Sequence, residues 1–118
     1  MKLIIAGGRD FADAVLLCDE LNKLVDEDII DDSVELICGM ARGADMLGYH
    51  AFKSQGLPIH QFRPDWEGLG KRAGFVRNAD MGNAADYALI FWDGKSRGTK
   101  HMIDFMVRAG KPHRVVRY

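Results

Sequence analysis

At 118 residues the chain has the length of a single domain, residues 1–118, with one hydrophobic core, and it is too short for two. Its 47% hydrophobic content is that of an ordinary soluble fold, and a formal net charge of −1 gives no global attraction to nucleic acid or to an anionic membrane. The opening Met1-Lys2-Leu3-Ile4-Ile5-Ala6 is too short in apolar residues for a signal peptide and no other stretch reads as a membrane span, so the cytoplasm is the default expectation.

Leu3 to Ala6 reads as a short apolar strand ended by Gly7-Gly8. A helix is predicted from about Asp13 to Asp26, with Leu17, Leu21, Leu24 and Val25 on its packed face. The acidic stretch from Asp26 to Asp32 is a solvated connection. Val34 to Cys38 is a second strand, and the run Gly39-Met40-Ala41-Arg42-Gly43-Ala44-Asp45 opens a second helix that Gly56 and Pro58 stop. Ile59 to Phe62 is a third strand, followed from Arg63 to Gly70 by a loop without period. A third helix is predicted over Gly74 to Asn83, with Phe75, Ala79 and Gly82 on its packed side. Tyr87 to Trp92 is an unbroken apolar run, which suits an interior parallel strand covered on both faces. Thr99 can cap a last helix running to Ala109, with Met102, Ile103, Met106 and Val107 as its apolar stripe. Gly110 and Pro112 end it, and Arg114 to Arg117 is the final strand. Cys18 and Cys38 lack metal-ligand spacing and read as reduced core residues.

Strand and helix in alternation imply a three-layer, Rossmann-like α/β fold: a parallel sheet of about five strands with helices on both faces. Ligands on such sheets bind beyond the carboxyl ends of the strands, near the reversal of strand order. Three turns rich in glycine and arginine fall on that edge: Gly7-Gly8-Arg9-Asp10, Gly39 to Asp45, and Asp93-Gly94-Lys95-Ser96-Arg97-Gly98-Thr99. Glycines that allow close approach, together with free N–H groups at a helix start, make an anion site, most often for phosphate. The dinucleotide fingerprint is absent after the first strand. Gly94-Lys95-Ser96 imitates the end of a P-loop, but the required earlier glycine would fall within the apolar run Tyr87 to Trp92, which holds none. His50, His60, His101 and His113 are scattered without pairing, so neither a metal nor a cofactor is implied.

The motifs Ile5-Ala6-Gly7-Gly8-Arg9-Asp10-Phe11, Gly39 to Asp45, Arg77-Asn78 and Trp92 to Thr99 resemble the small stand-alone proteins of the SLOG superfamily. More narrowly, they are similar to its DUF2493 (YspA-like) branch, found in bacteria and phages. The resemblance covers essentially the whole chain and implies a Rossmann-like fold with a pocket for nucleotides or nucleotide-derived signals. Relatives include the LOG-type phosphoribohydrolases and the DNA-processing protein DprA. In LOG enzymes a Gly-Gly-x-Gly-Thr-x-x-Glu motif supplies a phosphate loop and a catalytic glutamate. Here Gly98-Thr99 aligns with its Gly-Thr, and Met102 occupies the glutamate position.

The candidate ligand-binding residues are Gly7, Gly8, Arg9, Asp10, Arg42, Gly43, Arg77, Asn78, Asp93, Gly94, Lys95, Ser96, Gly98 and Thr99. Backbone N–H groups near Gly7, Gly8, Gly98 and Thr99 would cradle a phosphate that Arg9 or Lys95 neutralises. Arg42 would reach the same anion or a ribose hydroxyl, and Arg77-Asn78 would close the pocket. Asp10 and Asp45 are read as loop-holding caps. Asp93 is the best carboxylate for ribose hydroxyls and the only catalytic candidate. Trp66 either stacks on a base or packs in the core. The favoured function is binding of a nucleotide-derived small molecule for sensing or sequestration. The alternatives are hydrolysis of an N-glycosidic or phosphate-linked bond and, third, DprA-like DNA binding, which the net charge and the lack of a basic stripe oppose. A homo-oligomer is compatible with the sequence, and base identity is left open.

Overall fold

A computed structural model describes all of residues 1–118. Five strands, β1 (Lys2–Gly7), β2 (Glu35–Cys38), β3 (Ile59–Gln61), β4 (Tyr87–Trp92) and β5 (His113–Arg117), form one all-parallel sheet in the order β3-β2-β1-β4-β5. The helices are α1 (Ala14–Asp26), α2 (Ala44–Ser54), the single-turn α3 (Trp66–Leu69), α4 (Ala73–Ala84) and α5 (Arg97–Ala109). The chain builds outward from β1 through β2 to β3, then returns to β1's other side with β4. The carboxyl ends of β1 and β4 therefore flank the reversal point, where such sheets leave a crevice.

The two-residue alternation of a strand explains why these strands are apolar throughout. Leu3 and Ile5 of β1, with Leu89 and Phe91 of β4, face Leu17 and Leu24 of α1 and Ala44 and Phe52 of α2. Their neighbours Ile4, Ala6, Ala88 and Ile90 face Met81 of α4 and Met102 and Met106 of α5. The methionine content of α5 is thus largely core packing. Leu89 and Phe91 are fully buried, and β4 is an interior strand.

Several local expectations are corrected. The segment predicted as a loop over residues 63–70 contains α3, whose N-cap Asp65 accepts a hydrogen bond from the Gly68 N–H at 2.9 Å. The second helix begins at Ala44, because Gly43 holds φ 82° and the run from Gly39 lies outside the helix. Ser96, not Thr99, caps α5, and Thr99 lies in its first turn, where its N–H points back to Ser96 Oγ at 3.4 Å. Val25 is half exposed, since it stands about 80° round α1 from Leu17. Val107 is about 100° round α5 from Met106 and is likewise exposed. Phe75 is also on the surface, its ring 4.7 Å from that of His101. Cys18 is exposed, while Cys38 is buried at the end of β2.

Phe91 is the aromatic that joins sheet to site, stacking on Phe11 at 4.3 Å just beyond β1. Phe91→Ala is expected to lower unfolding free energy by about 3–5 kcal/mol in urea melts. Val115→Ala, on the edge strand β5, should cost less than about 1 kcal/mol. Equal losses would contradict the interior placement of β4.

Candidate functional site

All three glycine- and arginine-rich turns meet on the carboxyl edge of the sheet. The first two are fused by direct backbone contact. The Gly8 carbonyl accepts the N–H of Phe11 at 3.2 Å and that of Ala44 at 3.3 Å. Gly43 makes this possible, since a Cβ there would lie 2.1 Å from the Gly8 carbonyl oxygen, and its φ of 82° is one that side chains rarely adopt. Gly8 itself sits under Tyr118, whose hydroxyl would be 1.7 Å from an added Cβ. That hydroxyl donates to Asp10 Oδ1 at 2.6 Å, and the Tyr118 ring packs edge-on against Phe11. Burial, the hydrogen bond and the nearby Asp10 charge all push the Tyr118 phenol well above its ordinary pKa.

The third turn is held by Asp93. Its Oδ1 accepts the N–H groups of Lys95 and Ser96, both at 2.8 Å. These two bonds, Ser96 first, hold its carboxyl below the usual range. A carboxylate engaged and acidified in this way is a weak base. The N–H groups of Arg97 and Gly98, at the start of α5, donate to nothing in the chain, and neither do those of Arg9 and Asp10. The Gly8 N–H, in contrast, is bound to the Phe91 carbonyl at 3.1 Å. The first and third turns therefore offer free donors at Arg9, Asp10, Arg97 and Gly98.

A cavity of about 400 Å³ opens between these turns. Of the residues read from the sequence, Gly7, Gly8, Arg9, Asp10, Arg77, Asn78, Asp93, Ser96, Gly98 and Thr99 line it. Arg42 instead lines an adjoining cavity that shares Arg9 and Arg77. Gly43 is the contact between turns, while Gly94 lies against the Arg117 guanidinium and Lys95 is exposed. Asn78 is buried and bridges two walls, accepting from Arg77 Nε at 3.0 Å and donating to the Gly98 carbonyl at 3.2 Å. Arg77 Nη1 donates to the Gly39 carbonyl at 2.5 Å, which ties α4 to the end of β2.

Asp45, expected only to hold a loop, is a nearly buried wall of the cavity. Its Oδ2 accepts the Ala41 N–H at 3.4 Å. Burial pushes its pKa up to about 6, against the opposing pull of the Arg77 guanidinium. The neighbouring Cys38 thiol is also raised, to about 11, chiefly by burial, so it stays protonated and is no nucleophile at neutral pH. Ala6, Ala41, Met81 and Met102 complete the lining. Met102 had been singled out for its position, but nothing marked Met81 as more than core. Tyr118 was missed entirely, because its partner lies 108 residues away.

The family model described as "YspA, cpYpsA-related SLOG family" matches residues 1–68. The "Gene 61 protein" of Mycobacterium phage D29 is 32% identical over 121 residues, covering 94% of this chain and 92% of the relative. No solved structure matches significantly.

Asp45 gives the site a pH signature. Its folded pKa of about 6 lies above the ordinary 3.8, so the folded state holds a proton that the unfolded chain has released. This contribution to stability is complete below about pH 4 and is lost as pH rises through 6. Asp45→Asn removes it. The variant should therefore gain on the wild type by about 2–3 kcal/mol between pH 4 and pH 7 in urea melts. A gap that is flat or shrinks with pH would count against a buried, ionisable Asp45.

Proposed function

The chain belongs to the YspA, cpYpsA-related SLOG family, and from that premise we propose that it binds a nucleotide or nucleotide-derived small molecule for sensing or sequestration. Family membership speaks for nucleotide-related binding or processing. The observation that carries the finer reading is the set of unsatisfied N–H donors at Arg9, Asp10 and Gly98, which line one cavity at the strand-order reversal. Free amides at the entrance of a helix are suited to phosphate oxygens, and the Arg9 and Arg77 guanidinium groups add charge.

The cavity also holds three aspartates, and their states matter for an anion. Asp10 accepts from the Tyr118 hydroxyl and Asp93 from two amides, so both carboxylates are held in place by donors of the chain itself. Asp45, with its pKa near 6, is close to half protonated in mildly acidic solution. None has a base partner of the kind that general catalysis needs. Met102 stands where the resembling phosphoribohydrolases hold their glutamate, and it lines the cavity with an apolar thioether. Opening an N-glycosidic bond develops positive charge on the ribose, which that side chain cannot stabilise. Binding is therefore favoured over turnover.

Native mass spectrometry of the purified protein should show a co-purified nucleotide, and calorimetry with nucleoside monophosphates should show binding. Arg9 is exposed and makes no ion pair, so Arg9→Ala should leave the fold intact. It should weaken binding by about 1.5–3 kcal/mol, the value of a hydrogen bond to a charged group. Undiminished affinity in that variant would remove Arg9 from the site. Incubation with AMP, GMP and CMP should release no base. Steady release that vanishes in Asp93→Asn would make the protein a hydrolase.

A further inference from the structure

The cavity adjoining the glycine-lined one has a volume of about 340 Å³, and Arg9, Ala41 and Arg77 belong to the walls of both. Its charge is of one sign. Arg9 comes from the turn after β1, Arg42 from the turn after β2, Arg63 from the segment after β3, and Arg77 from α4. No aspartate or glutamate lines it. None of the four guanidinium groups joins an ion pair, since the chain's pairs are Lys23–Glu20, His60–Glu35, Lys100–Asp104 and Arg114–Glu27. Arg63 reaches only the Gln61 amide oxygen, at 3.2 Å, and Arg77 only Gly39 and Asn78. The side chains of Arg9 and Arg42 donate to nothing.

Four separate segments thus bring four guanidinium groups, none in an ion pair, to one hollow in a chain whose formal net charge is −1. Arg77 is near a carboxylate, that of Asp45 in the adjoining cavity. Mutual repulsion opposes such a cluster, and a polyanion relieves it. Guanidinium forks match phosphate oxygens in geometry as well as charge. The two shared arginines stand at the boundary with the glycine-lined cavity, so one phosphate chain can run from the first cavity into the second. We propose that the arginine cavity holds the outer phosphates of a nucleoside polyphosphate whose innermost phosphate lies near the free amides of Arg9 and Gly98. This rests on the nucleotide reading above and assigns its ligand class: a triphosphate-type nucleotide in preference to a monophosphate.

Arg42 and Arg63 are exposed and serve no packing role in the core, which makes the double variant Arg42→Gln/Arg63→Gln a clean probe. Calorimetry would compare it with the wild type using the mono- and triphosphates of all four ribonucleosides, inorganic tripolyphosphate, and a 5′-phosphorylated single-stranded octanucleotide. In the wild type at least one triphosphate should bind roughly 10-fold or more tightly than its monophosphate, as additional charge-assisted contacts require. In the double variant that ratio should fall to about 3 or less, with monophosphate affinity unchanged. Equal affinity for mono- and triphosphate in the wild type would overturn the proposal and leave the nucleotide reading standing. So would a triphosphate preference that survives the double substitution. Binding of tripolyphosphate but of no nucleotide, lost in the double variant, would retain the arginine cavity as a phosphate-chain site and overturn the nucleoside part together with the reading above. Tighter binding of the octanucleotide than of any triphosphate would overturn it in favour of a nucleic-acid end.

Discussion

The whole carboxyl edge of the sheet depends on the contact between Gly8 and Gly43. One carbonyl oxygen accepts two N–H groups, one from its own turn and one from the first residue of α2. Because Gly43 has no Cβ, the β1–α1 and β2–α2 turns touch through backbone alone. This spends the Gly8 carbonyl on structure and leaves the next two amides, Arg9 and Asp10, directed at nothing in the chain. Similar logic operates across the crevice, where Asp93 satisfies Lys95 and Ser96 and leaves Arg97 and Gly98 free. The polar groups of the rim are not loosely arranged. Some are consumed to fix the turns, and the remainder become donors to whatever enters.

The same division applies to charge. Carboxylates near the crevice are tied to hydroxyl or amide donors, or are buried until their pKa rises. The arginines are less constrained: Arg77 is tethered by Gly39 and Asn78, and Arg9 and Arg42 are free. An anion approaching this edge therefore meets arginines with unused donors, and carboxylates that are already engaged in hydrogen bonds or buried. That asymmetry is what a binding site for phosphate needs, even though the three aspartates in the glycine-lined cavity outnumber its arginines.

Much of this was legible in the sequence. An unbroken apolar run such as Tyr87 to Trp92 suits an interior parallel strand, and the parallel sheet with helices on both faces followed from the alternation of strands and helices, although the strand order did not. Gly7-Gly8 and Gly98-Thr99 stood out because each follows an apolar strand run, whereas Arg77-Asn78, in the middle of α4, was marked only by the family resemblance. Helix starts were less legible. Ser96 and Thr99 are equally good capping residues, and only the turn set by Asp93 decides between them. Stripe edges were misjudged at Val25 and Val107 because helical periodicity gives the centre of a packed face and not its width. The role of Asp45 was half visible: its place near the second helix was read, but its burial depends on Arg77 arriving from α4.

Tyr118 shows what a one-dimensional reading leaves out. It follows the edge strand β5, yet its hydroxyl holds Asp10 and its ring completes a stack with Phe11 and Phe91. Edge strands are commonly the least tied part of a sheet. Here the anchor is the binding edge itself. The Asp10 carboxylate is held by a donor 108 residues away in the sequence. Removing that hydroxyl would leave Asp10 Oδ1 without its donor in the cavity that Arg9 also lines. Tyr118 therefore fixes a carboxylate of the first turn, and the order of β5 is coupled to where a ligand would meet that charge.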